Sequence, residues 1–167
     1  GKIIHLGGRG LLEGGFHTPN HRWAISAALS VAYRYTGEQQ FLDAIEGFLK
    51  EGVDCDETGQ YTERSNGNYN NICNYSFTLM GFMLDREEFY DYPRRNLNMM
   101  YHCIEPDWSV NTMTSIRYDN GGKYMLSSYY PYYLLLALSI LVSYGDVLLP
   151  AMGVSLPLSA TIASLVF

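Results

Sequence analysis

The chain has 167 residues, enough for one domain with a sizeable core, and 47% of them are hydrophobic. Its formal net charge of −6 promises no counterion-release gain on nucleic acid, which argues against that class of partner. The cysteines Cys55, Cys73 and Cys103 are odd in number and match no zinc or redox spacing, so a fold that does not rely on disulfides is expected, in the cytoplasm or the periplasm.

Residues 1–19 carry six glycines and little periodicity, and read as a loop. Thr18 and Pro19 then form a helix start, with the threonine as cap and the proline in the first turn. Trp23, Ala27, Ala28, Val31, Ala32 and Tyr35 recur at helical spacing, and Gly37 stops the run. Phe41, Leu42, Ile45, Phe48 and Leu49 mark a second helix closed by Gly52. A connection this short predicts an antiparallel pair.

A polar loop follows from Asp54 to about Asn68. The spacing then predicts a third helix over Tyr69 to Leu84 and a fourth over Arg86 to Cys103, interrupted by Pro93. Glu105 to Gly122 reads as a long loop with room for short strands, and Tyr124 to Val142 as a fifth helix. The expected fold class is all-α: repeated αα-hairpins over 20–143 forming part of an incomplete α/α toroid, in a single domain or fragment of one. A helical hairpin array of this length falls short of closing a ring, so a missing C-terminal domain or a second copy of the chain is the expected complement.

From Met125 onward the only charged residue is Asp146. The apolar runs 132–142 and 147–167 meet the membrane-span criterion poorly: the first is short, and the second contains Pro150, Gly153 and Pro157. A core helix followed by an apolar tail over 144–167 is the expectation, with no membrane partner.

The chemistry-bearing residues fall in two polar stretches. Asn20 and His21 sit side by side at a helix start, where free N–H groups favour an anion. A side-chain amide and an imidazole can both donate to carboxylate oxygens. Tyr61, Glu63, Arg64 and Tyr69 lie in or just after the later loop, with Tyr75 six residues beyond Tyr69. In β-elimination from a uronate, the proton beside the carboxylate becomes removable once that carboxylate is neutralised, and an acid protonates the leaving oxygen. Asn20 and His21 suit the first task, and Tyr69 can be the acid, the base or both. Arg9, His17, His21, Arg22 and Arg64 could form a local basic cluster for an acidic glycan despite the net charge. Each residue also has a plain structural reading: Tyr61 and Tyr75 as packing groups, Glu63 as a loop salt bridge with Arg22 or Arg64. The 15 tyrosines suit a carbohydrate cleft and half-buried helix surface equally.

The stretches TPNHRW at 18–23, DETGQYTERSNGNYN at 56–70 and WSVNTMTSIRYD at 108–119 resemble the α/α-toroid domain of the heparinase II/III-like proteins, a group that includes alginate and heparin lyases. The resemblance spans 15–118. It implies a polysaccharide lyase acting on uronate-containing glycans. It implies Asn20 and His21 as the carboxylate-neutralising pair, Tyr69 in proton transfer, and Arg117 as a substrate-binding group; Arg22, Arg64, Glu63, Tyr61 and Tyr75 are further substrate-binding candidates from their own chemistry. In the family a β-sandwich follows the toroid and adds catalytic residues, and the tail after Tyr133 does not resemble it.

Two rival readings stay open. A glycoside hydrolase would need a pair of carboxylates about 5–10 Å apart, drawn from Asp54, Asp56, Glu57 and Glu63. A helical-hairpin domain could instead bind glycan or protein through its rim loops without turnover. No P-loop or dinucleotide fingerprint is present, and His5, His17, His21 and His102 lack metal-ligand spacing, so neither cofactor nor metal is expected.

Overall fold

A computed structural model describes residues 1–14 and 17–138. The chain divides into a larger unit, Gly1–Tyr129, and a second unit beginning at Tyr130, of which 130–138 is helical. The apolar tail over 144–167 and the end of the fifth expected helix lie outside the described residues. Among those described, no helix is long and apolar enough to cross a membrane.

The larger unit is mainly helical, in agreement with the all-α reading: α1 (Lys2–Leu12), α2 (Pro19–Thr36), α3 (Gln39–Lys50), α4 (Tyr69–Leu84) and α5 (Asp91–Tyr101), with one small sheet of β1 (Ser109–Val110) and β2 (Tyr124–Met125). Helix α2 is the centre. It packs most extensively on α4, then on α3 and α1. Its sequence permits this because Ser26, Ala27, Ser30 and Ala32 are small and fully or nearly buried, so neighbouring backbones can come close on more than one side. The α2–α3 turn forms as expected: Gly37 takes φ 72 and its N–H bonds the Tyr33 carbonyl at 2.8 Å.

The core is aromatic where α2 meets α4. The Trp23 and Phe77 rings lie 4.9 Å apart, Phe77 and Tyr92 4.6 Å, and Tyr61 stacks parallel to Phe77 at 6.3 Å. Phe41, Ile45, Leu29 and Met80 complete it, all without solvent exposure. Pairs of this geometry add about 0.5–1.5 kcal/mol each beyond simple burial.

Three expectations need correction. Residues 2–12 are a helix, not a loop. Glycine was read as a breaker, but tertiary contact outweighs its propensity cost of about 1 kcal/mol. Ile4, Leu11 and Leu12 pack against the core, and Gly8 is buried where a Cβ would stand 2.8 Å from Ala32 and 2.9 Å from Phe41. The fourth helix begins as a 3-10 turn at Glu87–Tyr90, becomes α-helical at Asp91 and ends at Tyr101. Pro93 falls within the first α-helical turn, where its missing N–H costs nothing. The fifth helix does not begin at Tyr124. Tyr124 and Met125 pair antiparallel with Val110 and Ser109, a 3-10 turn follows over Leu126–Tyr129, and the helix starts at 130.

Candidate functional site

Two long loops, 52–68 and 102–123, meet over the starts of α2 and α4. A ladder of buried asparagines fixes the first. Asn96 on α5 donates to the Gly59 carbonyl at 2.8 Å and accepts from Asn74 on α4 at 2.8 Å. The Asn74 carbonyl oxygen in turn accepts from the Tyr61 hydroxyl at 3.1 Å. Asn70 donates to Asn66 at 3.0 Å, Asn66 donates to the Asn111 carbonyl at 3.0 Å, and the Tyr129 hydroxyl closes on the Asn66 carbonyl at 2.7 Å. Gly59 completes the clamp at φ 93, with its α-carbon so close to the Arg95 carbonyl that a Cβ would stand 2.3 Å from it. The second loop is tied to the first by Asp119. This fully buried carboxylate accepts from the Gly67 N–H at 2.9 Å and the Ser115 hydroxyl at 2.5 Å.

These anchors bring several sequence-predicted residues together. Glu63 is 6% exposed and lies near the start of α2, where Asn20 and His21 are near enough to act on its charge. Arg117 reaches over from the second loop, with a guanidinium nitrogen 3.5 Å from Glu63 Oε1. The same guanidinium lies 4.9 Å from the centre of the Tyr69 ring. Tyr69 itself opens α4, its backbone N–H held by the Ser65 hydroxyl at 3.0 Å. Glu63, Tyr69 and Arg117 therefore converge from the first loop, the start of α4 and the second loop, with His21 nearby on the start of α2.

The electrostatics of the cluster are tense. Burial pushes the Glu63 carboxyl above its usual range, opposed by Arg117, the Asn20 N–H and His21 and reinforced by Asp54. Glu63 Oε1 is buried without a hydrogen bond. The residue after it, Arg64, holds φ 50, a backbone region costly for a branched or long side chain.

The remaining predicted residues take other places. Asn20 is 3% exposed and its carbonyl oxygen accepts from the Thr18 hydroxyl at 2.8 Å, so its side chain faces inward while His21 faces solvent. Arg22 is buried and pairs with Glu51 at 2.6 Å and with Asp54; it braces the loop instead of facing a ligand. Tyr61 is 2% exposed, with its hydroxyl committed to Asn74 and its pKa raised well above the usual value by burial. Arg64 and Tyr75 are exposed, Tyr75 on a different face of α4 from Tyr69. Of the proposed basic cluster, His17 and His21 share an open cleft of about 300 Å³ with Leu11, Ala24, Ile25 and Ala28, where the end of α1 meets the start of α2.

Two residues went unnoticed in the sequence. Tyr118 is 70% exposed, stands edge-on to the Tyr69 ring at 5.8 Å and accepts from the Asn68 amide at 2.5 Å. Asp119 orders the loop that carries Arg117. Neither belongs to a periodic pattern, and only their adjacency to Arg117 could have drawn attention to them.

Other chemistries find less material. Burial raises Cys55 to about 11 and Cys73 further, so both thiols stay protonated at neutral pH and are poor nucleophiles. Asp56 folds its carboxylate onto Thr58 and the Gln60 N–H. No group of three or more metal-ligating side chains occurs among the described residues. No family model, curated protein or solved structure matches the chain.

Proposed function

We propose that this chain is part of an α/α-toroid domain resembling the heparinase II/III-like lyases, and that it binds a uronate-containing glycan for cleavage by β-elimination. The pairs α2–α3 and α4–α5 would be the hairpins that such a toroid repeats. The observation that carries the reading is the convergence of Tyr69, Arg117 and Glu63 from three distant segments, with His21 close enough to act on the Glu63 charge.

Each group has a task in that chemistry. Arg117 and His21, both donors, neutralise the sugar carboxylate, which makes the neighbouring C5 proton removable. Tyr69 supplies the proton transfer. Acting as phenolate against the Arg117 guanidinium, Tyr69 takes the C5 proton as the C5–H bond breaks and the C4–C5 double bond forms, and it returns that proton to the leaving oxygen as the C4–O bond breaks. Tyr118, exposed beside Tyr69, offers a face on which a sugar ring can stack. Asn20 acts through its backbone N–H and Thr18 through ordering of the helix start, which makes both positioning residues.

The hydrolase alternative has weaker geometry. Glu63 is buried, Asp54 is paired with Arg22, and Asp56 is closed on its own loop. Incubation with alginate, heparan, hyaluronan and pectin-type glycans tests the choice. A conjugated double bond, seen as near-ultraviolet absorbance, is the expected product. Reducing ends without that absorbance would mean hydrolysis, and binding without turnover would mean a recognition domain.

A further inference from the structure

Glu63 is placed where a ligand carboxylate would sit. It lies near the start of α2, and Arg117 faces it at 3.5 Å without closing a hydrogen bond to Oε1. Glu63 is 6% exposed, and Arg64 beside it has a left-handed backbone. We propose that Glu63 is an internal stand-in for the ligand's anionic group, holding Arg117 and the start of α2 until an incoming carboxylate displaces it. This rests on the anion-binding part of the function proposed above, not on elimination chemistry.

The groups facing Glu63 come from every side. Arg117 faces it from the second loop, and His21 on α2, Asp54 on its own loop and Cys73 on α4 are near enough for their charges to couple with its own. Asp54 is partly neutralised by Arg22, the Cys73 thiol is uncharged, and Arg117 also holds Tyr69. One guanidinium and one helix start cannot serve two buried carboxylates, because like charges at such range repel strongly outside bulk water. Glu63 must therefore take up a proton from solvent as the ligand enters. Ligand binding is then coupled to proton uptake, and affinity rises as pH falls toward the carboxylate range. Glu63 also gives selectivity, since a neutral sugar gains nothing by displacing it.

Removing the stand-in should open the seat to a small carboxylate. In Glu63→Ala at neutral pH, formate is expected to raise the melting temperature by several degrees over chloride at equal ionic strength, and at that pH to leave the wild-type protein, whose seat Glu63 fills, unmoved. No formate-specific rise in a folded Glu63→Ala protein overturns the proposal. In wild type, which needs no variant to fold, the Glu63 carboxyl resonance followed by carbon NMR should titrate at higher pH with formate than with chloride; an unmoved midpoint also overturns it. A mannuronate tetramer then separates this proposal from the functional reading. Its affinity should climb by at most about tenfold per pH unit as pH falls. Glu63→Gln should lose the Glu63 part of that slope and bind more tightly at neutral pH. Tetramer binding with identical pH profiles in wild type and Glu63→Gln keeps the uronate reading and removes the stand-in. Formate filling without tetramer binding at any pH keeps the stand-in and removes the uronate.

Discussion

Two buried polar regions lie side by side in this protein, and they differ in how well they are satisfied. In the asparagine ladder, Asn74, Asn96 and Tyr61 spend their polar atoms on one another and on the Gly59 carbonyl. In the Glu63 cluster, a carboxylate oxygen is buried without a hydrogen bond, its cationic partner stands at 3.5 Å, and the next residue has a left-handed backbone. The first region has the marks of structure: closed bonds that fix a loop. The second has the marks of a site, since groups held in tension are available to a ligand. The difference teaches that burial of polar residues alone does not mark function here. Asn70 adds a nuance, because its carbonyl oxygen also lacks a partner although its amide is bonded to Asn66 and Met100.

Breaking the ladder should cost stability first. Gly59→Ala forces a Cβ into the Arg95 carbonyl at positive φ, and is expected to destabilise by about 3–5 kcal/mol in denaturant unfolding. Asn74→Ala, which leaves both the Tyr61 hydroxyl and the Asn96 carbonyl oxygen unpaired, should cost about 2–3 kcal/mol. A negligible change in either would mean that the loop is held by something other than the ladder.

Perturbing the cluster should instead change binding. Arg117→Gln is expected to raise the KM for a uronate glycan about tenfold or more, with little change in melting temperature, because Arg117 is only partly buried. The smallest effect belongs to Glu63→Gln. Burial raises the folded Glu63 pKa above its usual 4.5, so the fold prefers the protonated acid. That preference is fully present below the unfolded value and is lost as pH rises through the folded one. Wild type should therefore match Glu63→Gln in acid and fall below it at neutral pH, by under about 1 kcal/mol in the difference between their melting curves. A wild-type protein more stable than the variant at neutral pH would make the Glu63–Arg117 contact a supporting bridge.

Much of the helical framework was legible because it follows periodicity and punctuation. Helix α4 spans Tyr69–Leu84 as read, and Gly37 ends α2 in the left-handed conformation that a C-terminal glycine provides. Helix α1 was not legible, since glycines at a close helix crossing look like a loop until the neighbouring helices are known. The start of the last helix was lost to a two-residue strand pairing, a nonlocal event that propensity does not encode.

The site was legible in its parts and not in its assembly. Residue chemistry singled out His21, Glu63 and Tyr69, and the family resemblance added Arg117; of these, Glu63, Tyr69 and Arg117 meet. It also singled out Arg22 and Tyr61, whose polar groups turned out to be engaged in bracing the loop. Nothing local distinguishes Tyr61 from Tyr69: both are tyrosines bordering the same polar loop. Only the packing of α4 against α2 puts the first inside and leaves the second at the rim.

That pair offers the most direct measurement. Tyr69→Phe and Tyr61→Phe each remove one hydroxyl, one from each region. The rate of unsaturated-product formation on a uronate glycan and the melting temperature are measured for both against wild type. Tyr69→Phe should lose about 10²–10⁴-fold in rate with its melting temperature held, the usual worth of a positioned acid or base. Tyr61→Phe should keep its rate while losing about 1–2 kcal/mol of stability. An unchanged rate in Tyr69→Phe, on a glycan that wild type cleaves, would contradict the assignment of catalysis to the Glu63–Arg117–Tyr69 cluster.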